Sequence, residues 1–275
     1  MLGKKDVLFY YGLETPPLST TLGLSDSYII LQDYHPLVQQ GVFAEYFPLA
    51  DRYLYWNSCK VPKSLCHLPP EEIVFAEYQA EWDCYILDLK RPMHREILIL
   101  KAIELMSHFG VQGLFVDDLD VWSDNPQRQK ILLNFLDELE TRLPQNFSYI
   151  FNRGFPFWSK KSDKLKAVLI EDVGPSSALR LSQGAHDWLY NTLKIQVPLL
   201  LHKAPHVSIL FLEYESDISS IDFIQSIEAD SPLGVLFDSY TSNESIAVLT
   251  SVGRKLDLWP SRFYAVPASP VFLNS

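Results

Sequence analysis

The chain has few basic residues and no long apolar run. Its 23 lysines and arginines are outnumbered by 34 aspartates and glutamates, which gives a formal net charge of −11. Because nucleic-acid binding depends on clustered Lys and Arg that neutralise phosphates, this balance argues against a nucleic-acid partner. No segment contains about 18 or more uninterrupted apolar residues, so we expect no transmembrane helix.

Cysteine is also scarce, which limits the disulfides and metal sites that the chain can form. Cys59, Cys66 and Cys84 are an odd number and cannot all pair, although Cys59 and Cys66 could close a small loop. No Cys-x-x-Cys motif is present, and the seven histidines share no spacing with carboxylates that signals a metal site. We therefore expect structural thiols, no metal and no cofactor.

The first residues lack the apolar core of a signal peptide. Met1–Lys5 leads directly into a strand-like run. The chain as it stands is expected to be cytoplasmic, or secreted or periplasmic if an export segment has been removed. Its oligomeric state cannot be predicted from these features.

The sequence does contain apolar strand-like runs that alternate with helical patterns. The runs are Val7–Tyr11, Tyr28–Asp33, Arg52–Trp56, Gly113–Asp117, Phe147–Phe151, Ala167–Glu171, Ser208–Tyr214 and Gly234–Phe237. The helical candidates are a segment that begins near Pro92, Pro126–Leu143 after the cap Asn125, Ser176–Leu193 and Ile218–Ile227. Eight strands alternating with helices predict an α/β fold, a (β/α)8 TIM barrel that forms a single domain over residues 1–275. A doubly wound sheet is the alternative, but no Gly-x-Gly-x-x-Gly motif follows the first strand.

One segment does not fit a bare barrel. Cys59–Leu87 is long and contains Pro62, Pro69, Pro70, Tyr78, Trp82 and Tyr85. We interpret it as a long insertion after strand 3 that crosses the barrel mouth, where long loops commonly build substrate sites.

Polar side chains, mostly carboxylates, follow the predicted strands. They include Tyr10, Asp33, Asn57, Asp117, Asp118, Asp120, Asn152, Arg153, Glu171, Glu213 and Tyr214. In a TIM barrel the catalytic groups come from the carboxyl ends of the strands. Without a Ser-His-Asp arrangement, these ends favour acid/base chemistry by paired carboxyl groups, as glycoside hydrolysis requires. A metal-dependent hydrolase that uses the cluster of Asp117, Asp118 and Asp120 is an alternative, since Mg²⁺ and Ca²⁺ prefer oxygen ligands.

The fourth predicted strand carries a family resemblance. Its sequence is Gly110-Val111-Gln112-Gly113-Leu114-Phe115-Val116-Asp117-Asp118-Leu119-Asp120. This run is similar to the Gly-Phe-Asp-Gly-Val-Phe-Leu-Asp-Thr-Val-Asp motif of glycoside hydrolase family 114, the endo-α-1,4-polygalactosaminidase-like barrels. Weaker similarity covers Tyr85–Pro92, Phe151–Phe155, Val168–Glu171 and Phe211–Tyr214.

The resemblance implies an enzyme that hydrolyses a polysaccharide internally, at α-1,4-linked galactosamine or N-acetylgalactosamine units. It implies a catalytic aspartate at strand four and a catalytic glutamate at strand six, which are Asp117 and Glu171 here. The residues expected to bind the saccharide are Tyr10, Asp33, Asp88, Asp120, Asn152, Glu213 and Tyr214.

Two departures from the family pattern matter. The family often shows Tyr-x-x-x-Gly-Glu after strand three, whereas this chain has Tyr53–Cys59 without that pair. A catalytically inactive, saccharide-binding barrel is therefore a further alternative. Asp118 stands where threonine or asparagine is common, and its charge is expected to raise the pKa of Asp117. Alternation along the strand predicts that Asp118 faces the helix layer.

Overall fold

The computed structural model describes residues 6–10, 27–171 and 183–212. These ranges contain the strands β1 Asp6–Tyr10, β2 Ser27–Leu31, β3 Asp51–Asn57, β4 Lys60–Pro62, β5 Glu77–Gln79, β6 Cys84–Ile86, β7 Gly113–Asp117, β8 Ser148–Asn152, β9 Leu165–Glu171 and β10 Ser208–Leu212. The helices are α1 Pro36–Gln39, α2 Phe43–Tyr46, α3 Pro70–Ile73, α4 Pro92–Ser107, α5 Pro126–Glu140 and α6 Gln183–Lys203.

Seven of these strands form one parallel sheet. Its order is β1-β2-β3-β7-β8-β9-β10, which follows the chain without reversal. A doubly wound sheet reverses its strand order at a switch point, and no reversal occurs among the described strands. The fold is therefore that of an α/β barrel. The eighth predicted strand, Gly234–Phe237, and the predicted helix Ile218–Ile227 lie outside the described residues.

The sheet curves so that distant strands meet on its inner face. The hydroxyl of Tyr28 on β2 lies 3.3 Å from Ser208 Oγ on β10 and donates to the carbonyl of Lys166 on β9, also at 3.3 Å. β2 and β10 are five positions apart in the strand order, so a flat sheet would keep them about 24 Å apart at about 4.8 Å per strand. The curvature of a barrel wall accounts for this contact.

The opposite face of the sheet packs against the helices. Trp56 on β3 donates from Nε1 to the carbonyl of Leu98 on α4, at 3.2 Å, and its ring lies 6.0 Å from that of Phe135 on α5. Leu54 and Leu114 share this face and have no exposed surface. Burial of each such side chain contributes about 1.5–3 kcal/mol, so this layer forms much of the core.

The start of α5 is determined by its cap. Asn125 Oδ1 accepts the backbone N–H of Arg128 at 2.9 Å and Pro126 occupies the first turn, which confirms the predicted start of α5. The helix ends at Glu140, three residues before the predicted end. The last described helix, α6, continues to Lys203, well beyond the predicted end at Leu193. No helix within the described ranges combines the length and apolar character needed to cross a membrane.

A second, smaller sheet lies between β3 and α4. Its order is β4-β6-β5, and both of its strand pairs are antiparallel. It lies within the Cys59–Leu87 segment, which also contains α3. Cys59, Cys66 and Cys84 are all free thiols, so no disulfide closes the loop between Cys59 and Cys66.

Candidate active site

Three strands of the large sheet end in polar residues that share the inner face. In the parallel register Asn57 of β3 pairs with Asp117 of β7, and Val116 pairs with Phe151, the residue before Asn152 of β8. Parallel strands present their carboxyl ends at the same edge of the sheet. Asn57, Asp117 and Asn152 therefore meet at the barrel mouth.

Asp117 is held by three hydrogen-bond donors. Its Oδ2 accepts the hydroxyl of Tyr55 at 2.6 Å, while its Oδ1 accepts Asn152 Nδ2 and the backbone N–H of Asp118, each at 2.8 Å. The carboxylate is thus fixed from β3, from β8 and from its own strand end. Such fixed orientation is what a group that contacts a reacting atom requires.

The pKa of Asp117 is raised above that of an ordinary aspartate. Burial of the carboxyl group is the larger cause and repulsion by Asp118 is the second, whereas the hydrogen bonds from Tyr55, Asp118 N–H and Asn152 lower it. The expected effect of Asp118 on its neighbour is therefore confirmed. A raised pKa brings this carboxyl group closer to the pH range in which catalytic carboxyl groups exchange protons.

Asp118 takes part in the site instead of facing the helix layer. Its backbone is in the left-handed region, with φ 59°, so the alternation that we expected stops at Asp117. Its Oδ1 accepts Lys60 Nζ at 2.9 Å and its Oδ2 accepts Asn57 Nδ2. The Lys60–Asp118 ion pair thereby joins the small sheet, through β4, to the end of β7.

Asp120 lies in the short 3-10 turn that follows β7. Its Oδ1 accepts the backbone N–H of Gly154 at 3.3 Å. Its pKa is raised by burial, while the nearby Arg153 and the Gly154 hydrogen bond lower it. Arg153 and Gly154 both have positive φ, which turns the chain tightly after β8 and brings this N–H to Asp120. Asp120 therefore connects the loops after β7 and β8.

Two of the predicted saccharide-binding residues have their contacts elsewhere. Asp33 Oδ2 forms an ion pair with Lys101 Nζ of α4, at 2.5 Å. Asp88 Oδ1 accepts the backbone N–H of Lys90 at 3.0 Å, and its own N–H donates to His94 Nδ1 at 2.8 Å, which shapes the turn before α4. The Asp33 side chain and the Asp88 N–H are thus bound by residues of α4, and neither Asp33 nor Asp88 contacts Asp117 within the described part of the chain.

The remaining predicted residues are defined by position alone. Tyr10 ends β1 and pairs with Leu31 of β2, and Glu171 ends β9 and pairs with Leu212 of β10. Asn152 pairs with Leu169, and Glu171 follows Leu169 by two residues. By strand alternation, the position of Glu171 is on the same face of the sheet as those of Asn152 and Asp117. Glu213 and Tyr214 lie outside the described residues.

The three aspartates that follow β7 are engaged by different partners. Asp117 is bound by Tyr55 and Asn152, Asp118 by Lys60, and Asp120 by Gly154. Within residues 27–171 and the other described ranges, no group of three or more His, Cys, Asp or Glu side chains is arranged to hold a metal ion. The three carboxylates are thus bound by separate protein donors.

Four residues of this site have no predicted catalytic or saccharide-binding role, although Asn57 and Asp118 follow predicted strands; they are Tyr55, Asn57, Lys60 and Asp118. Tyr55 and Asn57 lie on the same face of β3, and strand alternation could have identified Tyr55 once Asn57 was placed at the mouth. Lys60 has no such signal, because it reaches Asp118 from the small sheet that follows β3.

No protein-family model matches the chain, and no curated protein matches it in sequence. Solved structures do match. The glycoside hydrolase domain of PelA from Pseudomonas aeruginosa aligns with a TM-score of 0.56 and 21% identity, over 82% of this chain and 89% of that chain. The α-galactosidase TtGalA from Thermus thermophilus, in complex with stachyose, aligns with a TM-score of 0.53 and 11% identity, over 90% of this chain and 65% of that chain. These similarities support the barrel fold.

Proposed function

We propose that this protein is a glycoside hydrolase, with Asp117 as one of its two catalytic carboxyl groups. The observation that carries the proposal is the fixed Asp117 carboxylate at the carboxyl end of β7, with Tyr55, Asn152 and the N–H of Asp118 donating to it. Glycoside hydrolysis needs a pair of carboxyl groups beside the scissile bond. The fold similarity to the PelA glycoside hydrolase domain and to an α-galactosidase supports the same chemistry.

Glu171 is the proposed partner carboxyl group. It ends β9, two strands from β7 in the sheet, and by strand alternation its position is on the same face as that of Asp117. Adjacent strands lie about 4.8 Å apart, so the two backbones are roughly 10 Å apart across the curved sheet. Glycosidase carboxyl pairs are about 5–9.5 Å apart, so residues on strands at this backbone separation are candidates for such a pair.

The proposed substrate is a polysaccharide that contains α-1,4-linked galactosamine or N-acetylgalactosamine. The similarity of the Gly110–Asp120 run to the family 114 motif supports this substrate class. We propose further that the barrel closes with eight strands, that the segment Cys59–Leu87 is an insertion over its mouth, and that Asp120 and Asn152 line the substrate cleft. The Lys60–Asp118 ion pair ties this segment to the cleft.

Release of reducing ends from galactosamine-containing polysaccharide tests the proposal. The wild type is expected to release them, and Asp117→Asn and Glu171→Gln are expected to lose this activity. Asp163→Asn is the matched control, because Asp163 is exposed and lies just before β9, at the opposite end of the strand from the mouth. Activity in Asp117→Asn equal to that of the control contradicts the assignment. Saturable glycan binding without turnover by the wild type favours the saccharide-binding alternative.

A further inference from the structure

The two oxygens of the Asp117 carboxylate are engaged unequally. A carboxylate has about four lone-pair sites, two on each oxygen. Oδ1 accepts two hydrogen bonds, from Asn152 Nδ2 and Asp118 N–H, whereas Oδ2 accepts one, from Tyr55. Within the described part of the chain, the remaining acceptor site therefore belongs to Oδ2, the oxygen that Tyr55 contacts.

Tyr55 is itself fixed in position. Its ring lies 5.9 Å from that of Phe115, the residue with which it pairs in the β3–β7 register. Asn57 Nδ2 lies 3.5 Å from the Tyr55 hydroxyl oxygen and donates to it, which leaves the hydroxyl hydrogen directed at Asp117. At 2.6 Å, the Tyr55–Asp117 contact has the short length of a hydrogen bond to a charged acceptor.

We propose that Tyr55 is the positioning residue for Asp117, and that it presents Oδ2 as the oxygen that meets the reacting part of the substrate. This inference rests on the proposed function, because it names the reacting oxygen of the same site. Asn152 and the Asp118 N–H hold the opposite oxygen, so that rotation of the carboxyl group is blocked from both sides.

The role of Tyr55 is the same whether Asp117 attacks the sugar or activates a water molecule. In both cases negative charge on Oδ2 decreases as the reaction proceeds, and the reaction requires Oδ2 at a fixed distance and angle. Loss of the hydroxyl removes this constraint. It also removes a hydrogen bond that favours the charged carboxylate, so the pKa of Asp117 rises further.

The charged groups around Asp117 define what else influences its titration. Asp118 is adjacent in sequence, and its own charge is compensated by Lys60 of the small sheet. Asn152 is neutral. Tyr55→Phe changes none of these groups, and the half-buried ring keeps its packing against Phe115.

The test compares Tyr55→Phe with Tyr53→Phe. Tyr53 lies on the same face of the same strand, but its hydroxyl bonds to Ser148 Oγ, at 2.9 Å, and not to Asp117. The substrate is an oligosaccharide that the wild type cleaves. Tyr55→Phe is expected to lower kcat by about 10- to 100-fold, which is the effect of losing one hydrogen bond to a charged group, while KM changes by less than about threefold. The acidic limb of its kcat profile moves to higher pH. Tyr53→Phe is expected to leave both quantities unchanged.

A second measurement does not depend on activity. The pH titration of the Asp117 carboxyl carbon by NMR, assigned with Asp117→Asn, is expected to shift to higher pH in Tyr55→Phe and not in Tyr53→Phe. The inference is overturned if the Asp117 carboxyl group titrates at the same pH in Tyr55→Phe and Tyr53→Phe. It is also overturned if an active Tyr55→Phe has the kcat and the pH profile of the wild type. A titration shift in a protein that cleaves no tested glycan supports the positioning role while the proposed function fails.

Discussion

The ion pair between Lys60 and Asp118 is expected to stabilise the attachment of the small sheet to the end of β7. Lys60 Nζ lies 2.9 Å from Asp118 Oδ1, and the two side chains keep only 17% and 23% of their surface exposed. Fully exposed pairs contribute about 0–1 kcal/mol, whereas removal of one partner from a buried pair costs about 3–5 kcal/mol. This half-buried pair lies between those cases, so we expect Lys60→Met to reduce the free energy of unfolding by about 1–2 kcal/mol.

A double-mutant cycle measures the pair itself. Asp118→Asn is the matching substitution, because asparagine tolerates the left-handed backbone of residue 118. The unfolding free energies of the wild type, Lys60→Met, Asp118→Asn and the double variant are obtained from urea denaturation followed by tryptophan fluorescence. The sum of the losses in the two single variants is expected to exceed the loss in the double variant by about 1 kcal/mol.

The exposed pair of Arg128 and Asp124 is the control for this cycle. Its side chains are 45% and 55% exposed, and it joins Asp124, just before the cap Asn125, to Arg128 in the first turn of α5. Because the pair is exposed, its coupling is expected in the lower half of the range of about 0.2–1 kcal/mol. If Lys60 and Asp118 show no more coupling than this control, the small sheet is not fastened to β7 through their ion pair.

Three further predictions concern the site and its support. Because burial and Asp118 raise the pKa of Asp117, the folded state binds this proton more tightly than the unfolded chain, so its ionisation lowers stability as the pH rises from about 4 to the raised pKa. Urea denaturation gives the free energy of unfolding at pH 4 and at pH 7. Between these two pH values, the free energy of unfolding of Asp117→Asn is expected to fall less, or rise more, than that of the wild type, and an identical change contradicts the raised pKa. A Cβ on Gly113 would lie 2.0 Å from the carbonyl oxygen of Ser148, so Gly113→Ala is expected to destabilise the fold by about 1–3 kcal/mol or more, whereas Gly41→Ala, with nothing within 4 Å of its Cβ, carries only the cost of its positive φ; equal losses refute the close approach of β7 and β8. Exhaustive chelation is expected to leave glycan cleavage unchanged, because separate protein donors engage Asp117, Asp118 and Asp120, and loss of activity that added Mg²⁺ or Ca²⁺ restores favours the metal-dependent alternative.

The sequence predicted β7 with its correct boundaries, and the reason is local. Leu114, Phe115 and Val116 are buried on both faces of the sheet, and the flanking glycine and aspartates limit the strand. The position of Asp117 at the strand end followed from the same pattern. The remaining strands of the large sheet were predicted to within about two residues over the described ranges, since apolar runs in a parallel sheet are continuous.

Other parts of the structure depend on contacts that no local pattern encodes. The strands of the small sheet have only three residues each, and their pairing is determined by tertiary contacts. The contacts of Asp33 and Asp118 could not be predicted from strand alternation either. Asp33 follows a strand but pairs with Lys101 of α4, whereas the left-handed backbone of Asp118 directs its carboxylate to Lys60 and Asn57.

The central claim is that Asp117 takes part in the chemistry and is not merely a structural residue of the barrel mouth. The most direct test measures cleavage and binding of one galactosamine oligosaccharide by Asp117→Asn. The variant is expected to keep its affinity within about threefold, while its kcat falls by about 10²–10⁴-fold, the contribution of a positioned acid or base. A kcat within about threefold of that of Asp163→Asn contradicts the claim.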